Sequence, residues 1–365
     1  EGAPEGTEGL SLFLVPRIKE NGEKNDFVFR RLKDKLGTIS VPTGEVELKG
    51  AEAYLVGETE RGFKYMTEML NLERLSNAMG SVGLMGRALL ESKIHAANRE
   101  AFGDTIDQYP LMRSDLVDMA VDHEGATAFT FDAAHYFNKR EREGDEEAYK
   151  LMRILVPIAK HKTGRMGVDT SSYAMEVLGG NGYVNDFVTN RLLRDAQVLP
   201  IWEGTSNILS LDVLRAMDRE NAHEPLLNVI QDRLDSVEHP LLRDVVNDVR
   251  GEYHDLVESL GTVASKGDDY AQLYAKKLAN YIFDVYTAAL LLKEAQTQID
   301  EENNARKSLV ARRFVDNYIR QSEARGIKSG DKIPIEFFDS VVRFKPIKPQ
   351  LLADSFEADT VEADE

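Results

Sequence analysis

The sequence predicts a mainly α-helical protein with a small β unit at its amino-terminal side. From Phe63 onward, apolar residues recur at three- and four-residue intervals, the spacing of amphipathic helices. Before that point, short apolar and β-branched runs alternate with proline and glycine, which is typical of strands and turns. The length of 365 residues allows two or three such units and a sizeable core.

The β unit is expected within residues 1–62. A short apolar run over residues 9–15 is ended by Pro16, and residues 38–55 carry β-branched residues around a Pro-Thr-Gly turn. A few strands alone would leave open edges and an unfinished core. We therefore expect a partial β-barrel whose remaining strands lie upstream of residue 1.

Residues 63–219 are expected to form a four-helix bundle. Its long helices should be separated at the breaks Phe102-Gly103, Tyr109-Pro110, 142–147 and 179–182, which leave segments of bundle length. The helical pattern resumes over 226–260, 270–299 and 304–324, so residues 220–348 are interpreted as a second helical domain. Residues 349–365 are rich in acidic side chains and are expected to be a disordered tail.

Composition excludes several classes of protein. The formal net charge of −18 argues against a protein that binds nucleic acid over its whole surface. The lack of cysteine removes disulfides and thiolate metal sites, which favours a cytoplasmic setting, and no metal site is predicted. No apolar run reaches the roughly 20 residues that span a bilayer, so no membrane partner is expected.

The segment Trp202-Glu203-Gly204-Thr205 is a candidate for proton-transfer chemistry. An aromatic neighbour raises the pKa of a carboxyl group, and glycine allows close approach of a ligand to the backbone. These features suit a general base. On composition alone, however, the structural interpretation is favoured, in which Glu203 lies near a helix amino end and Trp202 fills the core.

Two other segments suit contacts with phosphate groups. Three glycines in residues 179–182 let backbone amides approach a phosphate, although on their own a helix C-cap with a turn is the favoured explanation. Arg99 and Phe102 end a long helix on one side, where a cation and an aromatic ring suit a pyrophosphate and an adenine. A cation that merely favours a helix carboxyl end is the alternative. Glu73 and Arg74, at the start of that helix, fit ordinary capping as well.

Taken in order and spacing, these segments resemble the acyl-CoA dehydrogenase family over residues 9–217. The specific part is the combination of residues 174–183, Arg194-Asp195-Ala196 and residues 201–208. The Trp before Glu203 and the segment 211–215 are most similar to the AidB-like alkylation-response branch. That branch also carries an additional carboxyl-terminal helical domain. The resemblance implies that residues 1–62 are the end of a middle β domain and that an amino-terminal helical domain is missing.

The resemblance implies an FAD-dependent α,β-dehydrogenation of an acyl-CoA, with Glu203 as the base and Glu73 as the alternative base. It places Arg74 and Gly204 near the substrate. It places FAD, shared between two subunits, against Arg99, Phe102, Glu176, Gly179, Gly180, Trp202, Thr205 and Asn207. Two departures affect FAD: Glu176 and Pro110 stand where many members have glutamine.

The expected partners are an electron-transfer flavoprotein as electron acceptor and further copies of this chain in a homodimer or homotetramer. A rival hypothesis is a DNA-binding flavoprotein of the AidB type. It rests on a basic helical face built from Arg306, Arg312, Arg313, Arg320 and Arg325. A solvated helix that balances acidic groups elsewhere is the favoured alternative. A noncatalytic interaction subunit completed by a separate partner is a third reading.

Overall fold

The computed structural model describes residues 2–320 and 331–362, with side chains to residue 356. The strands before the first long helix form antiparallel pairs, and a short hairpin follows that helix. They are β1 (Leu12–Leu14), β2 (Phe27–Leu32), β3 (Gly44–Leu48), β4 (Tyr54–Val56), β5 (Glu100–Ala101) and β6 (Asp104–Thr105). The pairs are β1 with β4, β2 with β3 and β5 with β6.

The small β unit predicted from the sequence is confirmed, with two corrections. Strand β2 was not predicted, because the charged pair Arg30-Arg31 interrupts its alternation of apolar residues. The structure explains these arginines: each forms an ion pair across the sheet, with Glu47 and Glu45 respectively. Within the described residues the strands form separate two-stranded sheets, not the curved sheet of a partial barrel.

The bundle contains six helices in chain order. They are α1 (Gly62–Asn98), α2 (Pro110–Glu143), α3 (Glu146–Leu178), α4 (Gly180–Tyr183), α5 (Thr189–Ala196) and α6 (Ser206–Glu220). The predicted breaks fall between these helices. Pro110 is the first residue of α2, and Gly144 ends it with a φ of +66°. Asp145 then caps α3 by accepting from the amides of Glu147 and Ala148.

The following part of the chain is also helical. It contains α7 (His223–Asp235), α8 (Arg243–Ser265), α9 (Asp268–Glu302), α10 (Arg306–Tyr318), α11 (Ile333–Glu336), α12 (Phe338–Val342) and α13 (Pro349–Glu362). The single helical segment expected over 226–260 is two helices. The break coincides with Pro240, which starts a short 3₁₀ turn and cannot continue α7. Part of the segment expected over 304–324 lies outside the described residues.

One hydrophobic core runs from the bundle into the following helices. Its centre is an aromatic cluster in which Phe129 of α2 contacts Phe283 and Tyr286 of α9, with ring centroids 4.7 and 5.3 Å apart. Helix α9 therefore belongs to the packing of both parts of the chain. In the two described ranges, no helix is both long enough and apolar enough to cross a membrane.

The expected disorder of residues 349–365 is not what the structure shows for the described residues. Helix α13 buries Leu352 completely, and the Phe356 ring lies 6.1 Å from that of Phe337. The Arg312 guanidinium stacks on Phe356 at 4.7 Å from the ring centroid. Leu352 and Phe356, four residues apart, thus form one apolar face of α13 that packs against the rest of the chain. The acidic composition of this segment did not indicate that face.

Candidate active site

The candidate base lies in the connection between α5 and α6. Glu203 has a φ of +57° and Gly204 a φ of +105°, so two consecutive residues adopt left-handed backbone conformations. For a residue with a side chain, such a conformation costs about 1 kcal/mol or more. The strain persists because the surrounding helices hold this loop. We call residues 199–205 the base loop.

Side chains of α1 and α3 hold the base loop by its carbonyl oxygens. Asn77 of α1 donates to the Leu199 carbonyl at 3.3 Å, and Arg74 of α1 donates from Nε to the Glu203 carbonyl at 3.2 Å. From α3, the Lys160 ammonium donates to the Gly204 carbonyl. Each of these three donors is buried, so each bond is shielded from competing water.

A buried ion-pair network continues behind the loop. The Arg74 Nη1 lies 2.5 Å from Oδ2 of Asp212 on α6, and Asp212 also pairs with Arg153 of α3. Burial raises the pKa of Asp212, but the two arginines outweigh it and hold that pKa below its usual value. Arg74, expected near the substrate, thus contacts the backbone of Glu203, and a contact with substrate stays a prediction.

The two candidate bases come together. Burial raises the pKa of the Glu203 carboxyl, and the hydrogen bond and negative charge of Glu73 raise it further, whereas Lys160 and Arg74 oppose the rise. A negative charge near a carboxyl group favours the protonated form of that group. Burial and the charge of Arg74 lower the pKa of Lys160 to about 8. The arrangement gives Glu203 a raised pKa next to a second acidic side chain and a lysine whose pKa is lowered.

The residues expected to contact FAD fall into two groups. Trp202, Thr205 and Asn207 lie at the base loop and the start of α6, and all three are exposed. The second group lies at the far ends of α1 and α3 and consists of Arg99, Phe102, Glu176, Gly179 and Gly180, all exposed. At 1.5 Å per helical residue, Arg74 and Arg99 are roughly 38 Å apart along α1, and Lys160 and Gly179 roughly 28 Å apart along α3. The residues expected to contact FAD therefore lie in two separate groups on one chain.

Phe102 is the most conspicuous member of the second group. It lies at the tip of the β5–β6 hairpin with a φ of +56°, and 99% of its surface is exposed. A fully exposed phenylalanine on a strained turn gains nothing from the core of its own chain. Its position suits contact with another molecule.

Lys160 and Asn77 were not predicted as site residues, and Asp195 and Asp212 were noted only as parts of motifs. A signal existed for Lys160, which follows the wholly buried apolar run Ile154–Ala159 within α3. Asp195, noted only as part of a motif, accepts from the Thr38 amide at 2.5 Å. It thus fastens the β unit to α5.

The described arginines of the expected basic face, three on α10 and Arg320 just after it, form ion pairs within the chain. Arg306 pairs with Glu124, Arg312 with Asp244, Arg313 with Asp118 and Asp331, and Arg320 with Asp244, Asp248 and Asp316. Arg325 lies outside the described residues. These arginines pair with acidic groups of the same chain, so they give the DNA-binding hypothesis no support, and it stays a prediction.

Comparison with known proteins agrees with this architecture. Residues 60–217 match the family described as acyl-CoA dehydrogenase, C-terminal domain, and residues 223–329 match the acyl-CoA dehydrogenase 11 C-terminal domain-like family. The chain is 35% identical over 304 residues to acyl-CoA dehydrogenase family member 11 of Caenorhabditis elegans, covering 80% of this chain and 49% of that protein.

It is 38% identical over 220 residues to the putative acyl-CoA dehydrogenase AidB of Escherichia coli strain K12, covering 60% of this chain and 40% of that protein. Among solved structures, C. elegans ACDH-11 in complex with C11-CoA superposes with a TM-score of 0.81 at 30% identity, covering 91% of this chain and 58% of that chain. The chain spans about half the length of the curated relatives that it matches. By its two matched domains, its helical architecture and its base loop, this chain belongs to the acyl-CoA dehydrogenase family.

Proposed function

We propose that the protein catalyses FAD-dependent α,β-dehydrogenation of an acyl-CoA thioester and that Glu203 removes the α-proton. The observation that carries this proposal is the Glu203 carboxyl itself. It lies on a strained loop against Glu73, and its pKa is raised by burial and by that neighbour. A carboxylate with a raised pKa is a stronger base near neutral pH than an ordinary glutamate.

The residues present fit FAD as two half-sites. Thr205 precedes α6 and makes no side-chain capping bond, so the first amides of this 15-residue helix are free to meet a phosphate group. At the other end of the bundle, Arg99 provides a cation, and the glycine turn at 179–180 provides backbone groups that a ligand can approach. The separation of roughly 38 Å along α1 supports a cofactor shared between two copies of the chain.

The chain's own groups then have distinct tasks. Glu203 accepts the α-proton, and Glu73 sets how readily it does so, because a neighbouring carboxyl favours protonation of the pair. Arg74 and Asn77 hold the loop so that the carboxyl stays in reach of the substrate. When bound, FAD supplies the acceptor for the β-hydride.

The substrate class is supported by the relatives. The ACDH-11 structure that superposes on this chain holds C11-CoA, and its fold covers 91% of the chain. We extend an acyl-CoA substrate to this protein on that basis. Reoxidation by an electron-transfer flavoprotein and assembly as a homodimer or homotetramer remain predictions from the family.

The test is the visible absorbance of the FAD-loaded protein on anaerobic addition of a series of acyl-CoAs. We expect one of them to bleach the flavin, and Glu203→Gln to abolish the bleaching, because the amide cannot accept the proton. Glu73→Gln is the matched control, since it removes the neighbouring carboxyl at similar volume. It should retain bleaching and move the acidic limb of the pH profile to lower pH.

The opposite pattern would reassign the base. If Glu203→Gln still bleaches and Glu73→Gln does not, Glu73 removes the proton. If no acyl-CoA reduces the flavin of the parent protein, the dehydrogenase proposal fails. A DNA-binding function is not proposed, because the described arginines of α10 are paired within the chain.

A further inference from the structure

We propose that Lys160 is a positioning residue of this site: its buried ammonium locks the left-handed turn at Glu203 and Gly204 and places a positive charge next to the Glu203 carboxyl. This inference rests on the proposed function for its kinetic part. Its structural part, the locking of the turn, stands independently of any reaction.

The geometry of Lys160 is unusual for a lysine. The side chain is completely buried on α3, next to the run Ile158-Ala159, and its ammonium donates to the Gly204 carbonyl. Methionine or leucine would fill this position without the free-energy cost of removing a charge from water. A lysine at this position points to a role for its charge and for its hydrogen bond.

The first task is mechanical. Glu203 and Gly204 both have positive φ values, and their two successive carbonyls are held by two cations from different helices, Arg74 of α1 and Lys160 of α3. Gly164, one turn further along α3, lies so close to the loop that an added Cβ would meet the Leu199 carbonyl at 3.3 Å. The base loop thus packs directly against helix α3, and the hydrogen bond from Lys160 is a polar contact between the two.

The second task is electrostatic. The charged groups that act on Lys160 are Arg74 from α1, which lowers its pKa, and Glu203 from the loop, which raises it. On its own helix, His161 follows directly, and burial lowers the pKa of His161 to about 4, so that ring is neutral near pH 7. In return, the Lys160 charge lowers the pKa of Glu203. The ammonium therefore offsets part of the repulsion within the carboxyl pair.

The experiment compares Lys160→Met, Lys160→Gln and Lys160→Arg in the FAD-loaded protein. Methionine keeps the length and removes both charge and donor, glutamine keeps a donor without charge, and arginine keeps the charge. Two quantities are measured: hydrogen exchange of the amides in residues 199–206 by mass spectrometry, and the pH midpoint of flavin reduction by the substrate found above. Circular dichroism checks folding of each variant.

We expect Lys160→Met to speed exchange in the base loop about tenfold, because a buried charged hydrogen bond is lost. It should also raise the acidic pH midpoint by about one unit, because the compensating charge is gone. Lys160→Gln should raise the midpoint while leaving exchange closer to that of the parent. Lys160→Arg should return the midpoint to the parental value.

Lys93→Met is the control, because Lys93 is a half-buried lysine of α1 whose ammonium lies over the Phe344 ring, outside the site. It should change neither quantity. If Lys160→Met and Lys160→Gln both leave loop exchange and pH midpoint at parental values, the proposal is overturned. If Lys160→Met fails to fold, the pH midpoint of flavin reduction in Lys160→Gln decides whether the proposal holds. If no acyl-CoA reduces the flavin of the parent protein, the proposed function fails, and loop exchange alone still decides whether Lys160 locks the turn.

Discussion

Replacing Arg306 with methionine should lower the free energy of unfolding by about 3 kcal/mol, because it leaves a buried carboxylate without its main partner. The guanidinium of Arg306 on α10 binds both oxygens of Glu124 on α2, at 2.6 and 2.8 Å. Both side chains are at least nine-tenths buried. The Arg306 guanidinium also lies 5.0 Å from the Phe344 ring centroid, a stacking contact that methionine replaces only in part.

The magnitude follows from these partners. Breaking a buried ion pair by removing one member typically costs about 3–5 kcal/mol. The lower end applies here, because the Lys307 ammonium remains 3.3 Å from Glu124. The pair should also make stability depend on pH. The pKa of Glu124 is lowered, chiefly by Arg306 acting against the effect of burial, so the contribution is present above the ordinary pKa of glutamate and is lost on acidification below it.

Urea unfolding followed by circular dichroism at pH 7 measures the loss. Arg250→Met is the control: its pair with Asp235 is largely exposed, at 39% and 52%, so the change should stay within about 1 kcal/mol. The double variant Arg306→Met with Glu124→Leu should recover much of the stability, because no buried charge remains unpaired. A loss below about 1 kcal/mol for Arg306→Met alone would refute this reasoning.

Two further predictions concern the β unit and the bundle. Gly37→Ala should destabilise the protein by about 2 kcal/mol, because a Cβ at Gly37 would lie 2.1 Å from the Arg194 carbonyl oxygen, which is backbone and cannot swing away. Asp122→Asn should stabilise the protein more at pH 7.5 than at pH 5. Burial raises the pKa of Asp122 to about 6 against the lowering effect of the Tyr318 hydroxyl, so its charge opposes folding increasingly as pH rises from 4 towards 6.

Denaturant unfolding tests both. The matched control for Gly37→Ala is Gly251→Ala on α8. No atom lies within 4 Å of a Cβ added at Gly251, and alanine favours the helix by about 0.5–1 kcal/mol. Equal effects of the two alanines would contradict the proposed clash. For Asp122, the difference in stabilisation between the two pH values should be about 1 kcal/mol. A pH-independent effect of Asp122→Asn would show that the carboxyl ionises normally.

The broad fold was accessible from the sequence because its signals are local. Glycine, proline and a capping aspartate separate α1, α2 and α3, and each acts within a few residues of its own position. The break between α7 and α8 was missed although Pro240 marks it, since apolar residues continue on both sides. Strand β2 was missed because its arginines are explained only by Glu45 and Glu47 on the paired strand.

The residues of the candidate site were likewise only partly predictable from local sequence signals. Glu203 and its neighbours form one contiguous motif, so the sequence alone determined the family, the helical class and the candidate base. Only the tertiary structure decided that Glu73, 130 residues earlier, meets Glu203, and that Lys160 and Arg74 hold the loop beneath them. The reason is that spacing along a helix defines its apolar face, whereas which polar groups share a buried volume depends on how several helices pack together.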